Sequence, residues 1–227
     1  MDIEQRCRRL KTIYEIYEAF TATVDRACRK HCALCCTCNV TATTVEGWLI
    51  HDVLTSGPST PGVPAAQWAK KAPRRFQPLV TINRLAQICM SGAEPVEERN
   101  DPDAGPCPLL AGNICSIYAV RPFGCRAMLS TRDCACHGEA SMPDLVLSAN
   151  QVVMQYLEAL DRPGATGNLI DVLLFLSDPQ QQAAYLNSPG PAWPHSLRLN
   201  QGFSAWLVPP EHRQAIRPLL QALQNLG

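Results

Sequence analysis

The sequence has few aromatic residues, no net charge and no long apolar segment. Only 6% of its 227 residues are aromatic and 19 are proline, which disfavours a strand-rich sandwich. Its 20 basic and 20 acidic residues cancel, so it lacks the basic surplus with which nucleic-acid-binding domains usually hold phosphates. No uninterrupted run of 18 apolar residues is present, and we therefore expect no membrane-spanning helix. Collagen, coiled coil and full disorder are also excluded.

The beginning of the sequence has scattered charges and no apolar run of the secretory type, so we expect a cytoplasmic protein. A chain of this length hides roughly 70% of its unfolded surface and needs no cross-links to fold. It nevertheless contains 12 cysteines. In a reducing compartment, clustered cysteines are expected to be metal ligands or redox groups rather than disulfides.

Apolar periodicity predicts a mainly α fold, with the cysteine-rich segments as irregular loops closed around metal. The first predicted helix spans residues 2 to about 29, and its apolar face includes Cys7. A capping-box pattern, Thr43 followed by Glu46, predicts the start of the second. Cys89 is predicted to face the core. Further helices are expected over 65–71, 82–90, 141–162, 168–176, 179–186 and 211–226. A linker is expected over 58–64 and an acidic surface loop over 94–106. Residues 187–210 are expected to form a loop that Trp193 and Trp206 anchor to the surface or, alternatively, that covers a pocket.

Two regions are expected within one continuous domain. Residues 1–140 form the cysteine-cluster metal-binding region, in which 28–38 and 107–137 are the ligand blocks. Residues 141–227 form a helical C-terminal region that packs on it.

These two blocks contain ten of the twelve cysteines. The spacing Cys32-x-x-Cys35 directs two thiolates into one small volume, as in structural zinc sites and iron–sulfur sites. Adjacent Cys35 and Cys36 point apart, so the surplus of thiolates indicates two metal ions or a polynuclear cluster. In the alternative interpretation, one of this pair is a ligand and the other only packs.

The second block contains a recognisable pattern, Cys-Pro-x-Leu followed by Cys-x-Ile-Tyr-x-x-Arg-Pro-x-x-Cys-Arg. Its residues are Cys107, Pro108, Leu110, Cys115, Ile117, Tyr118, Arg121, Pro122, Cys125 and Arg126. This pattern resembles the zinc- or iron-chelating cysteine-cluster family known by its CxxCxxCC signature. Upstream, Cys32-x-x-Cys35-Cys36 agrees with the signature, whereas three residues instead of two separate Cys28 from Cys32. The resemblance implies chelation of zinc or of an iron–sulfur centre, distantly like the cysteine cluster of flagellin lysine-N-methylases.

The predicted metal ligands combine the family pattern with a Cys-Ala-Cys-His segment that follows it. They are Cys28, Cys32, Cys35, Cys36, Cys107, Cys115, Cys125, Cys134 and Cys136. His137 and Cys38 add two further donor groups, whereas His31 is isolated from any motif. Arg121, Arg126 and Tyr118 are predicted to donate hydrogen bonds to the thiolates. Tyr118 packing beside Ile117 is the alternative, and Arg29 and Lys30 serve as nearby cations or as surface residues.

The function predicted from the sequence is metal binding by a thiolate-rich centre, with an iron–sulfur cluster or zinc as cofactor. The surplus of ligands leans towards iron. The centre is structural, belongs to an enzyme (an oxidoreductase or a methylase-like protein), or stores and delivers metal. No GxGxxG, GxxxxGK[ST] or HExxH motif names a reaction. The expected partner is a metal ion. The balanced charge predicts no nucleic-acid partner, no membrane partner is expected, and the sequence does not identify a protein partner.

Overall fold

The fold is known from a computed structural model that describes residues 1–29, 31–56, 65–101, 103–187 and 192–226. The expected linker over 58–64 and the candidate cation Lys30 lie outside these described residues. None of the helices in the described ranges combines the length and apolarity that crossing a membrane requires.

Helices dominate the described residues, which confirms the predicted mainly α class. In chain order they are α1 (Ile3–Phe20), α2 (Thr44–Ser56), α3 (Ala65–Lys71), α4 (Ile82–Met90), α5 (Phe123–Ala127), α6 (Cys134–His137), α7 (Asp144–Leu160), α8 (Leu169–Leu176), α9 (Pro179–Leu186) and α10 (Arg213–Gln224). Short 3₁₀ turns at Tyr118–Val120 and Pro210–His212 precede α5 and α10.

Within the described ranges, five short strands accompany the helices, and none of them is predicted from the sequence. They are β1 (Thr41–Thr43), β2 (Leu110–Ala111), β3 (Ile114–Cys115), β4 (Ala165–Asn168) and β5 (Leu197–Leu199). Strands β1, β4 and β5 form an antiparallel sheet in that order, and β2 pairs with β3 as a hairpin. All four residues of β4 are buried, so the strand shows no alternation of apolar and polar residues. Strand β5 also corrects the expectation of a loop over 187–210.

Helix α1 ends at Phe20, well before the predicted end near residue 29. The amide and hydroxyl of Thr21 both donate to the Tyr17 carbonyl, at 3.0 and 2.9 Å. A guanidinium nitrogen of Arg26 then donates to the Thr21 carbonyl at 2.9 Å. These bonds satisfy backbone groups at the helix end, so the chain turns away there. The segment that carries Cys28 is consequently not helical.

Helix α2 begins with the predicted capping box. The Thr43 amide donates to Glu46 Oε2 at 2.7 Å, and the Glu46 amide donates to Thr43 Oγ1 at 3.4 Å. Glu46 is also buried, and its Oε1 accepts the Tyr14 hydroxyl at 2.7 Å and the Phe123 amide at 2.6 Å. A single carboxylate therefore joins α1, α2 and the start of α5.

In the part of the chain that the structure describes, the buried apolar residues form three clusters. The largest lies between α1, α2, α5, α7 and α10, so helices of the C-terminal region pack directly on α1. The second joins α2, α3 and α8 to the cysteine-rich segments through Cys38, Leu109 and Ile117. The third combines α8, α9 and β5, with Trp193 packed against it.

Cys7 and Cys89, the two cysteines outside the blocks, were both predicted to face the core. Cys7 is half-buried against the largest cluster, and burial raises its pKa to about 11. Cys89 is exposed, contrary to the prediction. The buried side of α4 is formed instead by Asn83 and Ala86. The Asn83 side chain donates to the Gln155 carbonyl at 2.8 Å, so a polar residue takes the inner position.

Two segments expected to be loops are held by specific contacts. In the exposed acidic segment, Glu98 accepts hydrogen bonds from two backbone amides, and Asp101 pairs with Arg74 at 3.0 Å. In the segment that carries Trp193 and Trp206, the ring centres of Trp193 and Phe175 are 5.0 Å apart, and Trp206 packs against the largest core cluster. The two indoles thus anchor their segment rather than cover the cysteines.

Candidate metal centre

The first cysteine block follows α1 as a series of turns and then runs beside the chain that leads into the second block. The Cys36 amide donates to the Ala33 carbonyl at 3.0 Å, which closes a turn. The Cys38 amide donates to the Gly105 carbonyl at 2.9 Å, and Thr37 forms an antiparallel bridge with Pro106. The bridge brings the ends of two distant segments side by side.

The bridge places Cys107 directly against Cys36. The Cys107 amide donates to the Cys36 carbonyl at 2.9 Å, and the Cys107 carbonyl accepts the Leu110 amide at 3.0 Å. In the following hairpin, Leu110 of β2 is paired with Cys115 of β3. The backbone therefore carries Cys115 back towards Cys107.

Cys125 is delivered to the same region by α5. The Phe123 amide at the start of α5 is held by Glu46. At Gly124, an added Cβ atom would lie 3.0 Å from the Thr41 carbonyl oxygen, so this short helix packs closely on β1. Glycine at this position allows the approach.

Five thiols form what we call the inner group: Cys35, Cys36, Cys107, Cys115 and Cys125. The Cys35 thiol donates a hydrogen bond to the Cys36 sulfur, which lowers the pKa of Cys36 below its usual 9.0. Burial opposes this shift, and so do the charges of Cys125, Cys107 and Cys115. The same hydrogen bond strongly raises the pKa of Cys35. The sulfurs of both cysteine blocks thus act on one another electrostatically.

Burial is the largest influence on two thiols of the inner group, Cys107 and Cys125. It raises the pKa of Cys107 to about 11 and that of Cys125 further, and the charges of neighbouring thiols add to both shifts. Arg121 lowers the pKa of Cys125, so this guanidinium lies close enough to offset thiolate charge. Burial therefore favours the protonated form of Cys107 and Cys125.

Three other cysteines, which we call the outer group, are Cys28, Cys32 and Cys134. All three line one cavity of about 510 Å³. The Cys28 sulfur accepts a hydrogen bond from the Ser130 amide at 3.2 Å. Its pKa is raised first by burial and then by Cys35, Cys134 and Cys32, while the Ser130 bond opposes the shift.

The predicted Cys-Ala-Cys-His ligands are only partly brought to this cavity. Asp133 caps α6 through the Ala135 amide at 2.9 Å, and α6 presents Cys134 to the cavity. Cys136 is exposed, and the His137 ring contacts the Asp133 carbonyl at 3.0 Å. Among the described residues that line the cavity, neither Cys136 nor His137 is present.

The donor chemistry of both groups fits a soft or borderline metal ion. Each cysteine of the chain is a free thiol. Within the described ranges, however, no three Cys, His, Asp or Glu side chains are already arranged to hold a metal ion. The thiols currently have other partners, such as Ser130 for Cys28 and Cys35 for Cys36. Rotation about the Cα–Cβ bond re-aims a cysteine sulfur without moving the backbone.

Cys38 has a different role from the other thiols of its block. It is buried, packs with Leu109 and Ile117, and donates its S–H to the Pro106 carbonyl at 3.2 Å. This thiol reinforces the bridge between the two blocks.

The residues predicted to donate to thiolates differ in where they point. Arg121 stacks over the Tyr118 ring, with its guanidinium carbon 4.0 Å from the ring centre, and acts on Cys125. Tyr118 is 58% exposed beside the buried Ile117. Its hydrogen bond to a thiolate and its packing on Ile117 both stay predictions.

Arg126 points away from the thiols, contrary to the prediction. Its guanidinium contacts Glu18 at 2.7 Å and donates to the carbonyls of Arg121 and Ala119 at 3.0 and 2.9 Å. It also lies 4.2 Å over the Tyr14 ring. Arg126 therefore fastens α5 to α1.

Sequence reasoning missed several residues around the outer group. Ser130 is buried and orients the loop through a hydrogen bond to the Arg132 carbonyl at 2.7 Å. His31, set aside as isolated, lines the cavity with the three thiols. Neither residue belongs to a spaced motif, because only the folded loop places it near the cysteines.

Comparison of the chain with protein-family models, curated proteins and solved structures finds no match. The resemblance to the cysteine-cluster family stays a prediction.

Proposed function

We propose that this protein binds metal through the inner thiol group, as an iron–sulfur cluster or as zinc, with a lean towards iron because the thiols exceed four. The observation that carries this proposal is the backbone hydrogen bond of 2.9 Å from the Cys107 amide to the Cys36 carbonyl, which joins the two cysteine blocks next to the hairpin that carries Cys115. These cysteines come from the first block, the chain before the hairpin and the hairpin, and Cys125 comes from α5.

Core packing alone is a poor explanation for five cysteines gathered from two distant segments. A hydrophobic core of this size is stabilised by apolar side chains, and three such clusters already exist. Thiolates are the ligands of zinc and iron–sulfur centres, and both bind up to four of them. Each thiol loses its proton to solvent as it binds, so a metal replaces the mutual repulsion of the thiolates with attraction.

The inner group also offers a means of offsetting charge. Four thiolates around a divalent ion leave a net local charge of about −2, which nearby donors must compensate. Arg121 lowers the pKa of Cys125, and a hydrogen bond from the Leu109 amide lowers that of Cys107, so both favour the thiolate form.

The principal role we propose for this centre is structural. Metal bound by the inner group would tie the first block to the hairpin and to α5. An iron–sulfur enzyme, such as an oxidoreductase or methylase-like protein, is the second candidate, supported by the cavity beside the thiols. The free state of the cysteines supports a reducing, cytoplasmic location.

The test is anaerobic purification followed by metal and sulfide analysis and visible absorption spectroscopy. The variants Cys107→Ser and Cys125→Ser are expected to lose metal, whereas the exposed Cys89→Ser should keep it. Visible absorption with acid-labile sulfide supports iron–sulfur, and a colourless sample with stoichiometric zinc supports zinc. Wild-type protein without bound metal, or inner variants with unchanged metal, would overturn the proposal.

A further inference from the structure

The cavity beside the cysteine-rich segments is large and accessible to solvent. Its volume is about 510 Å³, which lies within the roughly 300–1,000 Å³ of typical small-molecule sites. None of the five inner thiols is among its described lining residues. Cys28 and Cys32, which do line it, are exposed. A space of this size suits a small organic molecule.

Two arginines give the cavity an excess of positive charge. Arg29 and Arg132 both line it, and Asp133 is the one carboxylate among the described lining residues. One oxygen of Asp133 accepts the Ala135 amide at 2.9 Å, and the other lies 3.8 Å from Arg29. Within the described part of the chain, Arg132 takes part in no ion pair. The cavity is therefore expected to attract anions.

The rest of the lining combines apolar and polar surface. Leu34, Pro106 and Leu110 contribute apolar groups, and Asn113 has a carboxamide side chain. Small-molecule sites typically have this combination of apolar walls with a few polar groups. Guanidinium groups bind carboxylates through paired, charge-assisted hydrogen bonds. A small molecule that carries carboxylates on an apolar or peptide-like frame fits these walls.

Cys32 is the cavity thiol best placed to react with such a molecule. The Cys28 sulfur already accepts the Ser130 amide at 3.2 Å, and Cys134 is only partly exposed. Cys32 is exposed, and its amide donates to the Arg29 carbonyl at 3.0 Å. This bond closes a tight turn, so an accessible sulfur and a group that binds carboxylates belong to the same turn.

We propose that the cavity binds a small disulfide that carries carboxylates, and that Cys32 forms a mixed disulfide with it. The Cys32 thiol releases its proton, and its sulfur attacks one sulfur of the bound disulfide. A new S–S bond forms while the S–S bond of the ligand breaks, and the departing half leaves as a thiolate that takes up a proton. The bound disulfide is the oxidant, because Cys32 is oxidised and the departing half is reduced. This inference goes beyond the proposed function and does not require metal in the inner group.

The exposure of Cys32 also makes the modification reversible. A small thiol that reaches the mixed disulfide releases Cys32 by the same exchange. The state of Cys32 is therefore expected to follow the ratio of disulfide to thiol in its surroundings.

The first experiment compares three disulfides of different charge: anionic glutathione disulfide, neutral hydroxyethyl disulfide and cationic cystamine. Wild-type protein reacts anaerobically, and mass spectrometry quantifies the adducts at Cys32 and at the exposed Cys89, which is not among the described lining residues. At low salt, the ratio of the Cys32 rate to the Cys89 rate should be at least about tenfold higher for glutathione disulfide than for cystamine. Added salt should reduce this preference. Equal ratios for the three disulfides would overturn the inference.

A second experiment tests binding apart from the reaction. Glutathione sulfonate is anionic and cannot form a disulfide. It should slow the alkylation of Cys32 by neutral iodoacetamide and leave the alkylation of Cys89 unchanged. Absence of protection at millimolar concentration would show that the cavity does not bind this class of molecule.

Matched variants test the two guanidinium groups. Arg29→Gln/Arg132→Gln should lower the rate of glutathione disulfide at Cys32 by about tenfold and leave the rate of hydroxyethyl disulfide unchanged. Arg8→Gln, which likewise breaks an exposed arginine–carboxylate pair, should match wild type. Wild-type rates in the double variant would contradict the proposed role of the arginines.

Metal content separates this inference from the proposed function. The charge preference at Cys32 should persist in Cys107→Ser/Cys125→Ser, because it depends on Arg29 and Arg132. If wild-type protein holds no metal and Cys32 keeps its preference, the proposed function fails and this inference stands. If bound metal protects Cys32 from all three disulfides, Cys32 is a metal ligand and this inference is wrong.

Discussion

The backbone amide of Cys107 donates a 2.9 Å hydrogen bond to the carbonyl oxygen of Cys36. This bond joins the two cysteine blocks through the main chain, so their approach does not depend on any thiol. The bridge between Thr37 and Pro106 and the Cys38 amide bond to Gly105 extend the same contact. A metal would therefore find the two blocks already adjacent.

Removal of metal is expected to lower the thermal stability of the protein. Because the inner thiols come from separate segments, metal binding energy adds directly to folding free energy. Each kcal/mol lost should lower Tm by about 2–4 °C in a chain of this size. Differential scanning calorimetry before and after a strong chelator measures the effect, with Cys107→Ser as a variant that should be insensitive. Equal shifts in wild type and variant would contradict the prediction.

Glu46→Gln should destabilise the fold by about 2–3 kcal/mol. The carboxylate accepts four hydrogen bonds, from Tyr14, Phe123 and the amide and hydroxyl of Thr43. The amide nitrogen of glutamine cannot accept, so it leaves buried donors unpaired. Urea unfolding measures the change, and the exposed Glu94→Gln serves as the matched control. A loss no greater than that of the control would show that the network is dispensable.

Glu158 should make stability fall as pH rises. Burial raises its pKa from 4.5 to about 7, although bonds from the Asn83 and Ile82 amides oppose the shift. Between these values the folded protein binds more protons than the unfolded chain, so the free energy of unfolding decreases with increasing pH. Asp161, whose pKa burial raises from 3.8 to about 7, acts in the same direction.

The measurement compares urea midpoints at about pH 5 and about pH 8 in wild type and in Glu158→Gln. The decline with pH should be smaller in the variant. Any pH dependence of metal binding is common to both proteins and cancels in the comparison. Parallel declines would show that Glu158 titrates with its ordinary pKa.

Substitutions of Arg126 and Arg121 should have different effects: the first should lower stability without loss of metal, and the second should weaken metal binding with little loss of stability. Arg126→Met removes hydrogen bonds to two carbonyls and the Glu18 contact, so it should cost about 1–3 kcal/mol and leave metal per folded molecule unchanged. Arg121→Met removes a cation–π contact with exposed Tyr118, worth about 0.5–1 kcal/mol. It should nevertheless weaken metal binding. Chelator competition measures the metal affinity of both variants, and urea unfolding measures their stability. Weaker metal binding in Arg126→Met with unchanged binding in Arg121→Met would refute the prediction.

Gly47→Ala should be destabilising because α2 packs closely on α8. An added Cβ would overlap Val172 and would lie 3.0 Å from the Leu176 side chain. Overpacking of this kind typically costs about 1–3 kcal/mol, which outweighs the gain of up to about 1 kcal/mol from alanine in a helix. Gly105→Ala, where the added atom meets open space, is the control. Thermal melts that coincide for the two variants would contradict the packing argument.

Most helices were predictable because their signals are local. The capping box of Thr43 and Glu46 lies within four residues, and its hydrogen bonds form within the same turn. The end of α1 was not predictable in this way. Its apolar spacing continues past Phe20, and only the bonds of Thr21 and Arg26 stop the helix.

The candidate site was predictable in composition and only partly in arrangement. The spacing of Cys32 and Cys35 marked the first block as a ligand source. Arg126 was misassigned because the partner that fixes its direction, Tyr14, lies on a helix far away in the sequence. Cys89 was misassigned because the inner face of α4 is occupied by a polar residue, Asn83. Its side chain donates hydrogen bonds to the carbonyls of Gln155 on α7 and of Gln201.

The sequence by itself determined the helical class, the helix starts and the concentration of thiols in two blocks, because these depend on residues close together along the chain. Tertiary structure decided that Cys36 meets Cys107, that Cys28 and Cys134 face one cavity and that His31 joins them. Those relationships depend on hydrogen bonds between distant segments, and no local pattern encodes which distant partners will meet.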